Sequence, residues 1–167
     1  MHTSYTQADF AVMNIGGLRT DWIPGVIQEQ HFYNMFPFDN IIQSFNISGS
    51  ELLKTLDILQ SGDKGLYSFY GIQTTVTKDG AKFKFKSAKM MDGSEIDPSK
   101  YYTGMASDFL LGGGDDFEKV INHIYTPRNV VNIGDFRNSL RPGLIDLKTI
   151  KAGSLIDPEH PRIIIED

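Results

Sequence analysis

Short apolar runs alternate with glycine-containing turns along the chain, and their periodicity predicts strands and helices in a mixed order. Phe10-Ala11-Val12-Met13 is apolar throughout and leads through Asn14-Ile15 into Gly16-Gly17-Leu18-Arg19, a buried strand followed by a turn. Pro24-Gly25 breaks the chain and residues 26–33 continue it. In Met35-Phe36-Pro37-Phe38-Asp39-Asn40, Pro37 drives Phe36 extended and offers no N–H, so this segment belongs in a loop or at a sheet edge. Residues 41–47 read as a strand. Ser48-Gly49-Ser50 with Glu51 opens a helix carrying the stripe Leu52, Leu53, Leu56 and Leu59, with Gly62 as its stop.

Residues 66–92 carry the clearest β pattern. Ile72, Thr74 and Val76 alternate, Asp79-Gly80 makes a hairpin turn, and Ala81, Phe83 and Phe85 oppose a solvated face of Lys82, Lys84 and Lys86. Asp92-Gly93 turns again, and residues 101–105 form a strand running into Ser107-Asp108-Phe109-Leu110-Leu111-Gly112-Gly113-Gly114-Asp115-Asp116-Phe117. Strand, tight turn and helix start follow one another there, with Phe117, Val120, Ile121 and Ile124 as the helix stripe. Residues 130–133 predict a short strand. Leu140, Leu144, Leu147 and Ile150 mark a last helix with Pro142 in its first turn or delaying its start, and Gly153 closes it. The tail Arg162-Ile163-Ile164-Ile165 is a terminal strand or a docked extension. The fold class is therefore α+β, a mixed β-sheet with flanking helices, in one domain over residues 1–167.

Composition narrows the partners. At 167 residues, 40% hydrophobic and 22% charged, the chain can bury one sizeable core. A formal charge of −5 disfavours a nucleic-acid surface, no apolar stretch is long enough to span a membrane, and the first residues lack a signal-peptide pattern. The absence of cysteine removes disulfides and thiolate chemistry. His2, His31, His123 and His160 are scattered, which predicts no metal site and no catalytic residue in this chain.

The glycine corner is the candidate site. Asp115 and Asp116 argue against a phosphate cradle, which is followed by Lys, Ser or Thr. A carboxylate there suits neutral hydroxyls such as a ribose diol, with Phe109 as an apolar face; alternatively, Asp115 is only a helix N-cap and Phe109 only core. Arg19 either grips a phosphate or carboxylate, or pairs with a surface acid.

Taken in order, Asn14-Ile15-Gly16-Gly17-Leu18-Arg19, Ile23-Pro24-Gly25, Pro37-Phe38-Asp39-Asn40, Ser48-Gly49-Ser50-Glu51-Leu52, Tyr70-Gly71-Ile72, Asp92-Gly93, Tyr101 and Asp108-Phe109-Leu110-Leu111-Gly112-Gly113-Gly114-Asp115 resemble the C-terminal domain of the 5′-nucleotidase family. The resemblance covers roughly residues 10–120 and implies a domain cut from a longer enzyme, without the family's preceding helix. It implies a nucleotide-specificity domain of a 5′-nucleotidase, 2′,3′-cyclic nucleotide phosphodiesterase or UDP-sugar hydrolase. Catalysis would fall to a separate N-terminal metallophosphoesterase domain with two divalent metal ions; this chain would hold no cofactor and be inactive alone. The partners implied are a nucleoside or nucleotide and that N-terminal domain, with no nucleic acid and no membrane contact, and the parent would be extracellular, at the cell surface or periplasmic.

By position, the resemblance assigns Phe38 and Phe109 to sandwich the base, Asp115 to the ribose hydroxyls, Arg19 to the phosphate, and Asn14, Asn40 and Gly71 to further substrate contacts. Two positions depart from the family pattern: Ile15 stands for a glycine, and Asp116, also in place of a glycine, adds negative charge near the pocket. The alternative function is a non-catalytic interaction module with a degenerate pocket.

Overall fold

The computed structural model describes residues 8–21, 24–62, 66–123, 126–151 and 157–166. In chain order these form β1 (Phe10–Met13), a 3₁₀ turn (Ile15–Gly17), α1 (Glu29–Met35), β2 (Ile41–Ser48), α2 (Gly49–Gln60), β3 (Ser68–Tyr70), β4 (Ile72–Asp79) and β5 (Lys82–Met90). β6 (Tyr101–Ser107), α3 (Asp108–Leu111), α4 (Phe117–His123), β7 (Arg128–Asp135), α5 (Phe136–Leu147) and β8 (Ile163–Glu166) follow.

The expected mixed sheet is two mixed sheets. One runs β3-β1-β6-β2-β7 and the other β5-β4-β8. β1 with β6 and β4 with β8 are parallel, and the remaining pairs are antiparallel. One apolar cluster joins them: Leu52, Leu56 and Leu59 of α2 are fully buried with Phe10, Phe45 and Phe69 of the larger sheet, Ile72 of the smaller, and Phe117 and Val120 of α4. Each such leucine contributes about 1.5–3 kcal/mol through burial. Phe10 and Phe45 meet edge to face at 5.8 Å.

α2 starts where its sequence signature places it. Ser48 Oγ accepts the Glu51 N–H at 3.3 Å, and Glu51 Oε2 accepts the Ser48 N–H at 3.1 Å, a reciprocal box satisfying two otherwise unpaired donors. The same carboxylate takes both guanidinium arms of Arg128 on β7 at 2.8 Å. That bond, ahead of the Ser48 contacts and against the opposing effect of burial, holds the Glu51 carboxyl down at about 2.

Three elements differ from the sequence expectation. α1 stands where no helix was assigned and buries Phe32. α3 inserts one helical turn between β6 and the glycines. Pro142 lies inside α5 rather than in its first turn, because Asp135 accepts the Asn138 N–H at 2.7 Å and starts the helix at Phe136. Ile124 and Gly153 lie outside the described residues. Among the described residues no helix is long and apolar enough to cross a membrane.

Strand direction then decides what meets. Ala11 pairs with Met105 in parallel, while Ile42 pairs with Ser107 and Ile41 with Asp135 antiparallel. The exits of β1, β6 and β7 and the entry of β2 therefore share one end of the larger sheet.

Candidate functional site

Six of the seven predicted site residues are carried by segments at that end. Asn14 leaves β1 and its side-chain amide donates to Asp115 Oδ2 at 2.7 Å, a bond closing 101 residues of chain. Asp115 has φ of 53°, a left-handed conformation that Asp tolerates better than most residues. Helix α4 begins only at Phe117, and the Asp115 carboxylate is engaged by Asn14 rather than by a helix terminus.

Phe109 is not core: 47% of its surface is exposed. Its ring rests against Gly114, where a Cβ would lie 2.5 Å from two ring carbons, so any side chain there would push the ring off this seat. Ser107 caps this turn by accepting the Leu110 N–H at 3.3 Å. Asp108 Oδ1 accepts the N–H groups of Phe109 at 2.9 Å and of Ile41 at 3.0 Å, tying the glycine corner to the entry of β2.

Phe38 is 46% exposed, and the Arg19 guanidinium lies 5.8 Å from its ring centre. Arg19 also donates to the Gly16 carbonyl at 3.2 Å, and its N–H donates to the Met35 carbonyl at 3.0 Å. A cleft lined by Asn14, Phe36, Phe38, Asn40, Leu110 and Phe136 opens between these segments. Of these, Phe36, Leu110 and Phe136 carried no sequence signal beyond being apolar.

Gly71 does not join them. It follows β3, which pairs antiparallel with β1 so that Tyr70 faces Ala11, and it lies against Asp9 and Phe10 at the other end of the sheet. Four residues of strand, roughly 13 Å, separate that position from Asn14. Its φ is 82° and a Cβ would come within 2.2 Å of the Asp9 carbonyl oxygen, so close packing of the chain on itself accounts for this glycine.

Asp116 also departs from expectation. It is 4% exposed, its carboxylate pairs with Lys119 at 2.9 Å, and its N–H donates to the Tyr67 hydroxyl at 3.2 Å. Burial pushes that phenol up to about 12, and its oxygen stays neutral. The extra charge is thus spent beneath the corner instead of in the cleft.

His160 pairs with Asp157 at 2.9 Å, and among the described residues no group of three or more His, Cys, Asp or Glu is placed to hold a metal ion. The groups gathered at the sheet end offer stacking faces, a carboxylate and a guanidinium. Groups of these kinds can hold a polar aromatic molecule by stacking and hydrogen bonding, and no nucleophile and general base face each other among them.

Residues 1–122 match the family model described as 5′-nucleotidase, C-terminal domain. The chain is 32% identical over 125 residues to a 5′-nucleotidase of Vibrio cholerae, covering 73% of this chain and 22% of that protein. It is 31% identical over 119 residues to Protein UshA of Escherichia coli, covering 70% and 21% respectively. The chain thus spans about a fifth of the length of these relatives. The crystal structure of a 5′-nucleotidase precursor from Thermus thermophilus superposes with a TM-score of 0.76 over 95% of this chain and 31% of the other, at 19% identity, which establishes a shared fold.

Proposed function

The chain belongs to the 5′-nucleotidase C-terminal domain family, and on that premise we propose that it is the nucleotide-recognition domain of a phosphoester hydrolase. Phe38 and Phe109 take the base between their exposed faces, Asp115 accepts the ribose hydroxyls, Arg19 meets the phosphate, and Asn14 and Asn40 supply polar contacts at the base and sugar. The bond from Asn14 to Asp115 carries this reading most directly, because it holds a carboxylate with one oxygen committed and the other available to a diol. Stacking on each ring contributes about 1–3 kcal/mol per base, and the Arg19 fork matches phosphate oxygens.

Bond cleavage belongs to another part of the same polypeptide. The two metal ions expected of such a hydrolase reside in an N-terminal phosphoesterase domain, and the described residues here present no group of His, Cys, Asp or Glu placed to hold one. The parent enzyme works outside the cytoplasm, in the periplasm or at the cell surface.

The test is adenosine and AMP binding by the 167-residue chain, measured by calorimetry. Phe38→Ala and Phe109→Ala each weaken adenosine binding by about 1–3 kcal/mol. An affinity indifferent to both substitutions would refute the sandwich and favour a domain that serves as an interaction module.

A further inference from the structure

We propose that Arg137 is the positioning residue of the aromatic loop 36–40, setting how well the cleft holds a planar base without touching that base; this rests on the reading of Phe38 given above. Arg137 lies in the first turn of α5, beyond the residues that match the family model. It is only 9% exposed. One guanidinium arm donates to the Phe36 carbonyl at 3.1 Å, the other donates to Asp39 Oδ1, and the group lies 4.6 Å from the ring centre of Tyr33 on α1.

The neighbouring residue completes the grip. The Phe136 N–H donates to the Asn40 carbonyl at 2.9 Å, and its ring meets that of Phe36 at 5.4 Å, which in turn meets Phe32 at 5.2 Å. Phe36, Asp39 and Asn40 are therefore fixed on both sides of Phe38. The residues between α1 and β2 belong to no helix or strand, and Pro37 has no N–H to give, so the loop's geometry is set by contacts from outside it.

A guanidinium suits this duty because it is planar, permanently charged and able to serve a carbonyl, a carboxylate and a ring face together; an ammonium is a point charge on a flexible stem. The buried guanidinium is answered by the Phe36 carbonyl and by the largely exposed carboxylate of Asp39, so its removal releases the loop on both sides of Phe38. A loop held in its bound shape before ligand arrives avoids the ordering cost of binding. β7 and α5 thereby extend the recognition apparatus past the matched family segment.

The experiment is a double-mutant cycle on the full 167-residue chain, with adenosine affinity measured by calorimetry for wild type, R137M, F38A and F38A/R137M. R137M is expected to weaken adenosine about tenfold, the effect of leaving one ring-bearing loop to be ordered by the ligand, and to cause no further loss in the F38A background. R137K is expected to fall with R137M, since it supplies charge without the fork. Wild-type affinity in R137M, or an equal loss with and without Phe38, overturns the proposal, because the second outcome describes general loosening. If R137M does not fold, D39A, which removes the acceptor altogether, takes its place in the same cycle.

Should the wild-type chain bind neither adenosine nor AMP, the reading of the cleft fails, and the clamp is judged by amide hydrogen exchange at residues 38–40. Faster exchange in R137M than in wild type upholds it, and equal exchange ends it.

Discussion

The ring of Phe109 and the main chain of Gly114 occupy touching space: a methyl group at 114 would lie 2.5 Å from Cε1 and Cζ of that ring. The triple glycine is thus a seat for an aromatic side chain as well as a turn. Gly114→Ala is expected to swing the ring off its seat, weakening adenosine by about 1–2 kcal/mol, within the worth of one stacked face. Thermal melting should move less than binding does, since Phe109 is half exposed and has room to yield. Calorimetric titration alongside a melt separates the two; undiminished affinity would mean that the ring's placement is irrelevant to the ligand.

Asp115→Asn is a near-isosteric probe of the sugar. The amide oxygen still accepts from Asn14, so the corner should keep its shape, but the charge that favours hydroxyl donors is gone. Wild type is expected to prefer adenosine over 2′-deoxyadenosine by about 1–2 kcal/mol, and Asp115→Asn to bind the two alike. A preference that survives the substitution would place the ribose elsewhere.

The helix start of α2 predicts an acid limb of stability. Glu51 sits at about 2 in the fold against an ordinary 4.5, so its stabilisation is complete above pH 4.5 and drains away as the pH falls toward 2. Glu51→Gln removes the ion pair with Arg128 and should be less stable than wild type at neutral pH, with a shallower decline through that interval. Melting temperatures followed by circular dichroism would show the two curves converging in acid; parallel curves would count against the assignment.

Local signals wrote much of this fold. Ser48 and Glu51 announce a helix within four residues, and Asp79-Gly80 announces a hairpin, because in each case the partners are sequence neighbours. α1 gave no such sign: its Gln28 N–H is accepted by His31 Nδ1 at 3.0 Å, an uncommon pair for a helix start. Pro142 misdirected the reading of α5, since proline at a first turn is the usual expectation and the signal that won was Asp135 seven residues earlier.

For the site, composition alone left Asp115 open between cap and ligand, and only the ordered motifs of the family pointed to the sugar, an expectation that the Asp115→Asn titration tests. Arg137 was invisible to either route. Its partners lie 98 and 101 residues away in the chain and include a main-chain carbonyl, so no local spacing encodes the contact. Asp108 likewise holds Ile41 across 67 residues. Gly71 belonged to a genuine motif, yet strand pairing carried it to the far end of the sheet.

The family match stops at residue 122, but β7 borders β2 and β8 borders β4. A gene fragment trimmed to the match would strip both rims, leaving two rows of backbone amides and carbonyls bare and inviting copies of the fragment to stack edge to edge. The segment that the family model delimits is therefore smaller than the unit whose sheet edges are covered.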